Sequence, residues 1–263
     1  MTGTVMITDA DSDSGIALVR RFASDTGANF ILCGNPGGER MQAALSACRS
    51  AGVRTMATDA SLCSPAAVDA VLQEALERLG PVTVLIHNRR CAAPIRVEDG
   101  EEAAFLRMLD AHAKSAFVCT QAVGRQMAEA GTGSIVFASS IHAEKPTGSS
   151  FAYSVSQGAI KMLAKEAALT LGRSGVRVNT IEMGPVEGDD ERFRSDVATQ
   201  YRDYRFKVPN AELGSWEDLA ACALFLASSE ARYVNGADLR LDGGFVLHYL
   251  DHKMKRGQQH REG

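Results

Sequence analysis

Tyr153 and Gln157 stand four residues apart, one turn of an α-helix, and Ser139-Ser140 precede them with Tyr153 thirteen residues beyond Ser140. A phenol titrates near pH 10, so only about one molecule in a thousand is phenolate at pH 7 unless a nearby cation favours the charged form. Gln157 is neutral and supplies no such field. A neutral Tyr153 still donates a proton or a hydrogen bond to an oxygen. Alcohol oxidation, which needs a base, suffers most. Lys161 follows eight residues after Tyr153, roughly 80° further round a helix of 3.6 residues per turn, and is expected at the surface.

A second group with chemical capacity is the turn Thr8-Asp9-Ala10-Asp11-Ser12-Asp13-Ser14-Gly15. Helix N-termini attract phosphates, and glycines let the backbone come close to them. Only Gly15 remains here, and three aspartates compete for the same partial positive charge. Asp13 or Ser14 is expected to cap the helix that follows. The run His87-Asn88-Arg89-Arg90 adds two long cations able to pair with those aspartates. The histidines and cysteines lack ligand spacing, so no metal is expected.

The elements that must position these groups read as an alternation. Strands are expected at Val5–Thr8, Phe30–Cys33, Arg54–Thr58, Val82–His87, Ser134–Ala138, Val176–Ile181 and Asp238–Leu241. They are four to six residues long and as a set rich in Val and Ile, as strands buried on both faces are. Helices are expected at Gly15–Ser24, Ala66–Leu79, Glu101–Ala128, Phe151–Arg173 and Trp216–Ala227. The alternation implies a parallel sheet covered on both faces, as one domain over residues 1–250. Residues 251–263 form a polar tail with Lys253, Lys255, Arg256 and Arg261.

The composition narrows the class. The 263 residues are 45% hydrophobic and 23% charged, which suits one large core rather than a disordered chain. A net charge of −4 argues against a nucleic-acid partner. No apolar run reaches the ~18 residues of a membrane span, and no signal-peptide pattern opens the chain. Cys33, Cys48, Cys63, Cys91, Cys119 and Cys222 are scattered without a CxxC pair, mostly in apolar segments, which reads as reduced core thiols of a cytoplasmic protein. The 24 glycines suit a nucleotide-binding α/β protein, yet only one stands in the turn.

Five segments together resemble the short-chain dehydrogenase/reductase family. They are Thr8 with Gly15-Ile16-Ala17; Val84-Leu85-Ile86-His87-Asn88; Ser139-Ser140 with Tyr153; Arg177-Val178-Asn179 leading to Gly184-Pro185-Val186; and Tyr233-Val234-Asn235-Gly236 with Asp242-Gly243-Gly244. The resemblance covers essentially the whole chain and implies a Rossmann-like, doubly wound α/β fold with helices on both faces. It implies a catalytic set in which Ser140 holds an oxygen and Tyr153 exchanges the proton. The position of the family's lysine holds Gln157, and that of its asparagine holds His112. The resemblance places an NAD or NADP site at Thr8, Ser14, Gly15, Ile16, Asn35, Asp59, Ala60 and Asn88. The second strand runs into Cys33-Gly34-Asn35-Pro36, with neither the acid of an NAD site nor the base of an NADP site. Glu187–Asn210 falls where the family carries its substrate lid. Assembly as a dimer or tetramer, through the apolar faces of Phe105–Gly124 and Ala159–Leu171, is implied by the same analogy.

The spacing of Thr8, Asp9-Ala10-Asp11 and Gly15 is also similar to the halohydrin dehalogenases, a cofactor-free offshoot. This chain has Asp13 where they carry an aromatic residue and Gln157 where they carry arginine. Three readings therefore stay open: an oxidoreductase on a small carbonyl or alcohol, a non-redox lyase or dehalogenase-like enzyme using Ser140 and Tyr153, and a silent binding or assembly protein.

Overall fold

A computed structural model describes residues 3–89, 91, 93–148, 150–186 and 207–247. Arg90, most of the expected lid (187–206) and the tail lie outside the described residues.

Seven strands form one parallel sheet in the order β3-β2-β1-β4-β5-β6-β7. They are β1 Thr4–Ile7, β2 Asn29–Cys33, β3 Thr55–Thr58, β4 Val82–His87, β5 Gly133–Ser140, β6 Val176–Met183 and β7 Asp238–Leu241. The pleat explains why they read as continuous apolar runs. Val5, Ile7, Phe30 and Leu32 join one buried cluster, while the alternate residues Met6, Ile31 and Cys33 join the other. The first cluster is closed by α1 (Asp13–Thr26), α2 (Glu39–Ser50) and α7 (Trp216–Ala227); the second by α3 (Pro65–Arg78), α5 (Ser115–Ala130) and α6 (Phe151–Gly172).

The periodicity misses α2, whose buried residues are only Met41, Ala44 and Cys48. They keep helical spacing (i, i+3, i+7), but one of the three is alanine and one cysteine, so the apolar stripe is thin and weak in hydrophobic contrast. The expected helix Glu101–Ala128 is divided. An α-helix, α4 (Glu102–Leu109), runs into a π-helical turn at Asp110–Lys114 before α5 begins. A π-turn adds a residue to the helical repeat. His112 lies within that turn and is fully buried. The strand order reverses direction at β1 and β4, so the crevice opens beyond Ile7 and His87, where the turn and the arginine segment emerge.

Candidate active site

The turn after β1 is held by its own groups. Ser12, rather than Asp13 or Ser14, caps α1: its Oγ accepts the Gly15 N–H at 3.0 Å. A sequence window cannot rank three adjacent capping residues; Asp9 decides it by adopting φ +46° and folding the loop back, its carbonyl accepting both the Ser12 N–H and the Ser12 hydroxyl. A Cβ on Gly15 would overlap the Asp9 carbonyl, so this glycine serves the loop's own close approach. Thr8 is buried, its Oγ1 accepting the Asn88 N–H at 2.7 Å across the switch point. Ser14 is buried beside Ser12 (Oγ to Oγ 3.1 Å), and Ile16 packs on the core. Arg89 pairs with Asp9 at 2.5 Å, the expected cation–aspartate contact, and Arg40 pairs with Asp13.

Beside the turn lies a cleft of about 540 Å³ lined by Asp9, Asp11, Asn35, Asp59, Ala60 and Arg89, among others. Its informative residue is Asp11. A Cβ on Gly34 would overlap the Asp11 carboxylate, and Asp11 Oδ2 accepts the Asn35 N–H at 2.9 Å. A carboxylate from the turn, 24 residues earlier in the chain, thus lies at the end of β2. Nothing local at Cys33-Gly34-Asn35 signals this.

The catalytic candidates gather at the C-terminal end of β5 and the start of α6. Ser140 ends β5 almost fully buried, its Oγ accepting the His142 N–H at 3.3 Å. Tyr153 is 5% exposed, its ring edge-on to His112 at 5.6 Å and to His142 at 6.1 Å. His142 is a neighbour that the sequence did not single out. Gln157 is fully buried; its Oε1 accepts the Ser139 hydroxyl at 3.0 Å, and its Nε2 has no hydrogen-bond partner among the described residues. Asn88 Oδ1 is likewise buried without a partner, while its Nδ2 donates to Ser12 Oγ at 3.2 Å. The orphaned donor thus lies on α6 beside the end of β5, and the orphaned acceptor beside the β1–β4 switch point; a hydroxyl group is the kind of partner that would satisfy either. These residues and the cleft fit the ribose and adenosine parts of a dinucleotide; the aspartate turn is the part that matches least.

Lys161 is not a surface lysine. Its ammonium group reaches Glu144, Glu182 at 2.7 Å and Asp238 at 3.4 Å, and its side chain is 15% exposed. Burial opposes the charge, but Glu144 and Glu182 outweigh it and hold the Lys161 pKa above the ordinary lysine value. Lys161 holds the Glu144 carboxyl below its usual range. Burial works to raise the Asp238 pKa, yet Thr180, Lys165 and Lys161 hold it low. The network fastens α6, which carries Tyr153 and Gln157, to β6, β7 and the segment after Ser140.

His87 shows what burial does to a titrating group at this crevice. Ser115 donates its hydroxyl hydrogen to the Ala111 carbonyl at 2.6 Å, so His87 Nε2–H donates to Ser115 Oγ at 2.9 Å. Nδ1 is left bare and buried. Burial pushes the His87 pKa down to about 3. The folded value lies below the unfolded one, so this contribution to stability is complete above pH 6.5 and drains away as the pH falls toward 3. Denaturant titrations at pH 7 and pH 5 are expected to differ by about 2 kcal/mol from this residue, and His87→Asn should remove that part. Equal pH dependence in the two proteins would show that His87 is already neutral in the unfolded chain or charged in the folded one.

Among the described residues no helix is long and apolar enough to cross a membrane, and no group of three or more His, Cys, Asp or Glu is arranged to hold a metal. Three of the six thiols are buried (Cys33, Cys48, Cys119), Cys63 and Cys222 are half-buried and Cys91 is exposed, so half of them, rather than most, are core thiols; all six are free.

A family profile described as Enoyl-(Acyl carrier protein) reductase matches residues 10–246. The 2,5-dichloro-2,5-cyclohexadiene-1,4-diol dehydrogenase of Sphingobium indicum is 30% identical over 243 residues, covering 92% of this chain and 95% of that protein. Glucose 1-dehydrogenase 2 of Bacillus subtilis is 28% identical over 260 residues, covering 94% and 96%. Among solved structures, NAD+-bound xylitol dehydrogenase superposes with a TM-score of 0.82 at 25% identity, covering 92% of this chain and 98% of that one. A short-chain type dehydrogenase/reductase from Mycobacterium marinum superposes at 0.81 with 22% identity, covering 92% and 94%, which speaks to the fold. The doubly wound sheet, the Ser140 and Tyr153 placement and the span of the profile agree: this chain belongs to the short-chain dehydrogenase/reductase family.

Proposed function

We propose that the protein is an NAD-dependent oxidoreductase that works chiefly as a reductase of a small carbonyl compound. The observation that carries the reading is the Asp11 carboxylate lying over Gly34 at the end of β2, at the rim of the adenosine-sized cleft. A carboxylate there accepts hydrogen bonds from ribose hydroxyls and repels a 2′-phosphate, which selects NAD over NADP. Asn35, Asp59 and Ala60 complete that end, and Gln157 Nε2 and Asn88 Oδ1 suit the hydroxyls of the second ribose. Arg89 is the cation placed to offset the aspartates where the diphosphate would run. Bound NADH would supply the hydride.

The chain's own residues would do the rest. Ser140 holds the substrate oxygen and the neutral Tyr153 hydroxyl gives it a proton. Gln157 orients by hydrogen bonding but provides no positive field, so proton abstraction from an alcohol is the slower direction. The dehydrogenase names of the relatives support redox chemistry. A homo-oligomeric state and a cytoplasmic location belong to the same reading. Exposed Phe117 on α5, and Met162 and Leu169 on α6, offer apolar surface for assembly.

Calorimetric titration tests the reading: NADH should bind at least about tenfold tighter than NADPH, the discrimination one carboxylate–hydroxyl contact gives. Absence of binding by both at millimolar concentration would overturn it. The aspartate turn, with the Gly15 N–H already taken by Ser12, would then favour a non-redox enzyme similar to the halohydrin dehalogenases, or a silent binding protein. With NADH bound, Gln157→Lys restores a cation one turn from Tyr153 and should raise turnover about tenfold. An unchanged rate would mean that the missing charge is not what limits catalysis.

A further inference from the structure

The redox reading leaves unused a nucleophile, a base and an orienting group aligned beside Tyr153. Cys91 Sγ lies 3.4 Å from His112 Nε2, and His112 Nδ1 lies 2.8 Å from Ser156 Oγ. The tautomer follows from counting hydrogens. Ser156 has one hydroxyl hydrogen and directs it to the Tyr153 carbonyl at 2.7 Å, so it accepts from His112 Nδ1–H. In the neutral ring the lone pair then sits on Nε2, facing the thiol. The π-turn at Asp110–Lys114 and the packing of His112 against the Tyr153 ring fix the base in place. Cys91 is exposed, whereas Cys33, Cys48 and Cys119 are buried, and the Cys63 thiol is turned to the Asp110 carbonyl at 3.1 Å.

We propose that Cys91 is a nucleophilic thiol, activated by His112, that captures soft carbon electrophiles of the α-halocarbonyl or conjugated-carbonyl class beside Tyr153. Burial of its surroundings pushes the Cys91 thiol up, only partly offset by Arg89, so at neutral pH the sulfur carries its proton and needs a base. In the step, His112 Nε2 takes the thiol proton as the sulfur electron pair forms the carbon–sulfur bond. With an α-halocarbonyl compound the halide leaves and the imidazolium proton passes to water. With a conjugated carbonyl compound the β-carbon is attacked and the proton is returned to the α-carbon, with no redox change in either case. This inference does not depend on which nucleotide binds.

The test is the rate of iodoacetamide labelling at each cysteine of the full chain at pH 7, followed by mass spectrometry. Cys91 should label about tenfold faster than Cys63 and Cys222, and Cys91→Ser should remove the fast phase. His112→Gln should slow Cys91 about tenfold while leaving the Cys63 rate and the far-ultraviolet circular dichroism unchanged. If that variant does not fold, Ser156→Ala, which frees the ring without touching the thiol, should slow Cys91 severalfold. A Cys91 rate equal to that of Cys63, or one indifferent to a folded His112→Gln or Ser156→Ala variant, would overturn the proposal.

Discussion

Tyr153→Phe should lower carbonyl reduction by at least about 100-fold, the scale of a positioned proton donor. Only the hydroxyl is lost. The ring, 5% exposed and held between His112 and His142, keeps its packing, so the thermal midpoint and NADH affinity should move little. The loss should fall on kcat, because the proton is transferred in the transition state. Steady-state rates alongside a calorimetric NADH titration separate the cases. Retained turnover in the folded variant would remove Tyr153 from the chemistry and leave His142 and His112, the two histidines against that ring, as the donors to examine. The effect should be smaller than in a relative bearing lysine at position 157, since Gln157 gives Tyr153 less to lose.

Lys161→Met should be the most destabilising single change predicted for the ion network, by about 3 kcal/mol. The reason is Glu182, which is 1% exposed and lies 2.7 Å from the lysine. Its remaining cation would be Arg240, at 3.7 Å, already shared with Glu144. Removing one partner of a buried pair strands the other charge, which costs more than the pair itself contributes. For a chain of this size the thermal midpoint should fall by roughly 10 °C. Lys161→Met combined with Glu182→Gln should recover most of it, as no charge is then stranded. A single-variant midpoint within about 2 °C of the original would show that water already reaches Glu182. Glu144 and Asp238 have folded pKa values below their unfolded ones, so their contributions are present above about pH 4 and fade at lower pH. The comparison is therefore best made at neutral pH, where Glu144 and Asp238 carry their charges.

Much of this architecture is legible from residue types alone. β-strands buried on both faces show as short apolar runs, as in Val82–His87, which matches the observed strand at both ends; Asp238–Leu241 also matches at both ends, although it is only partly buried. That Ser140 ends a strand and that Tyr153 and Gln157 lie one turn apart on a helix was legible for the same local reason; their roles come from the family resemblance. The parts that were not legible share one property. Asp11 reaches the end of β2 from another loop; Lys161 faces acids from β6, β7 and the segment after β5; Cys91, His112 and Ser156 come from three elements. Helical periodicity gives Lys161 an angle about its own axis, but the acids at that angle belong to strands ~20 to 80 residues away in the chain.

The sequence by itself determined the alternation, the sheet, a neutral Gln157 one turn after Tyr153 and a turn with Gly15 as its one glycine, because these are properties of adjacent residues. Only the tertiary structure decided what those groups meet. A carboxylate over Gly34, a paired Arg89 and a histidine turned inward by a π-turn depend on which loops the switch point brings together, and strand order is a long-range outcome that no local pattern encodes.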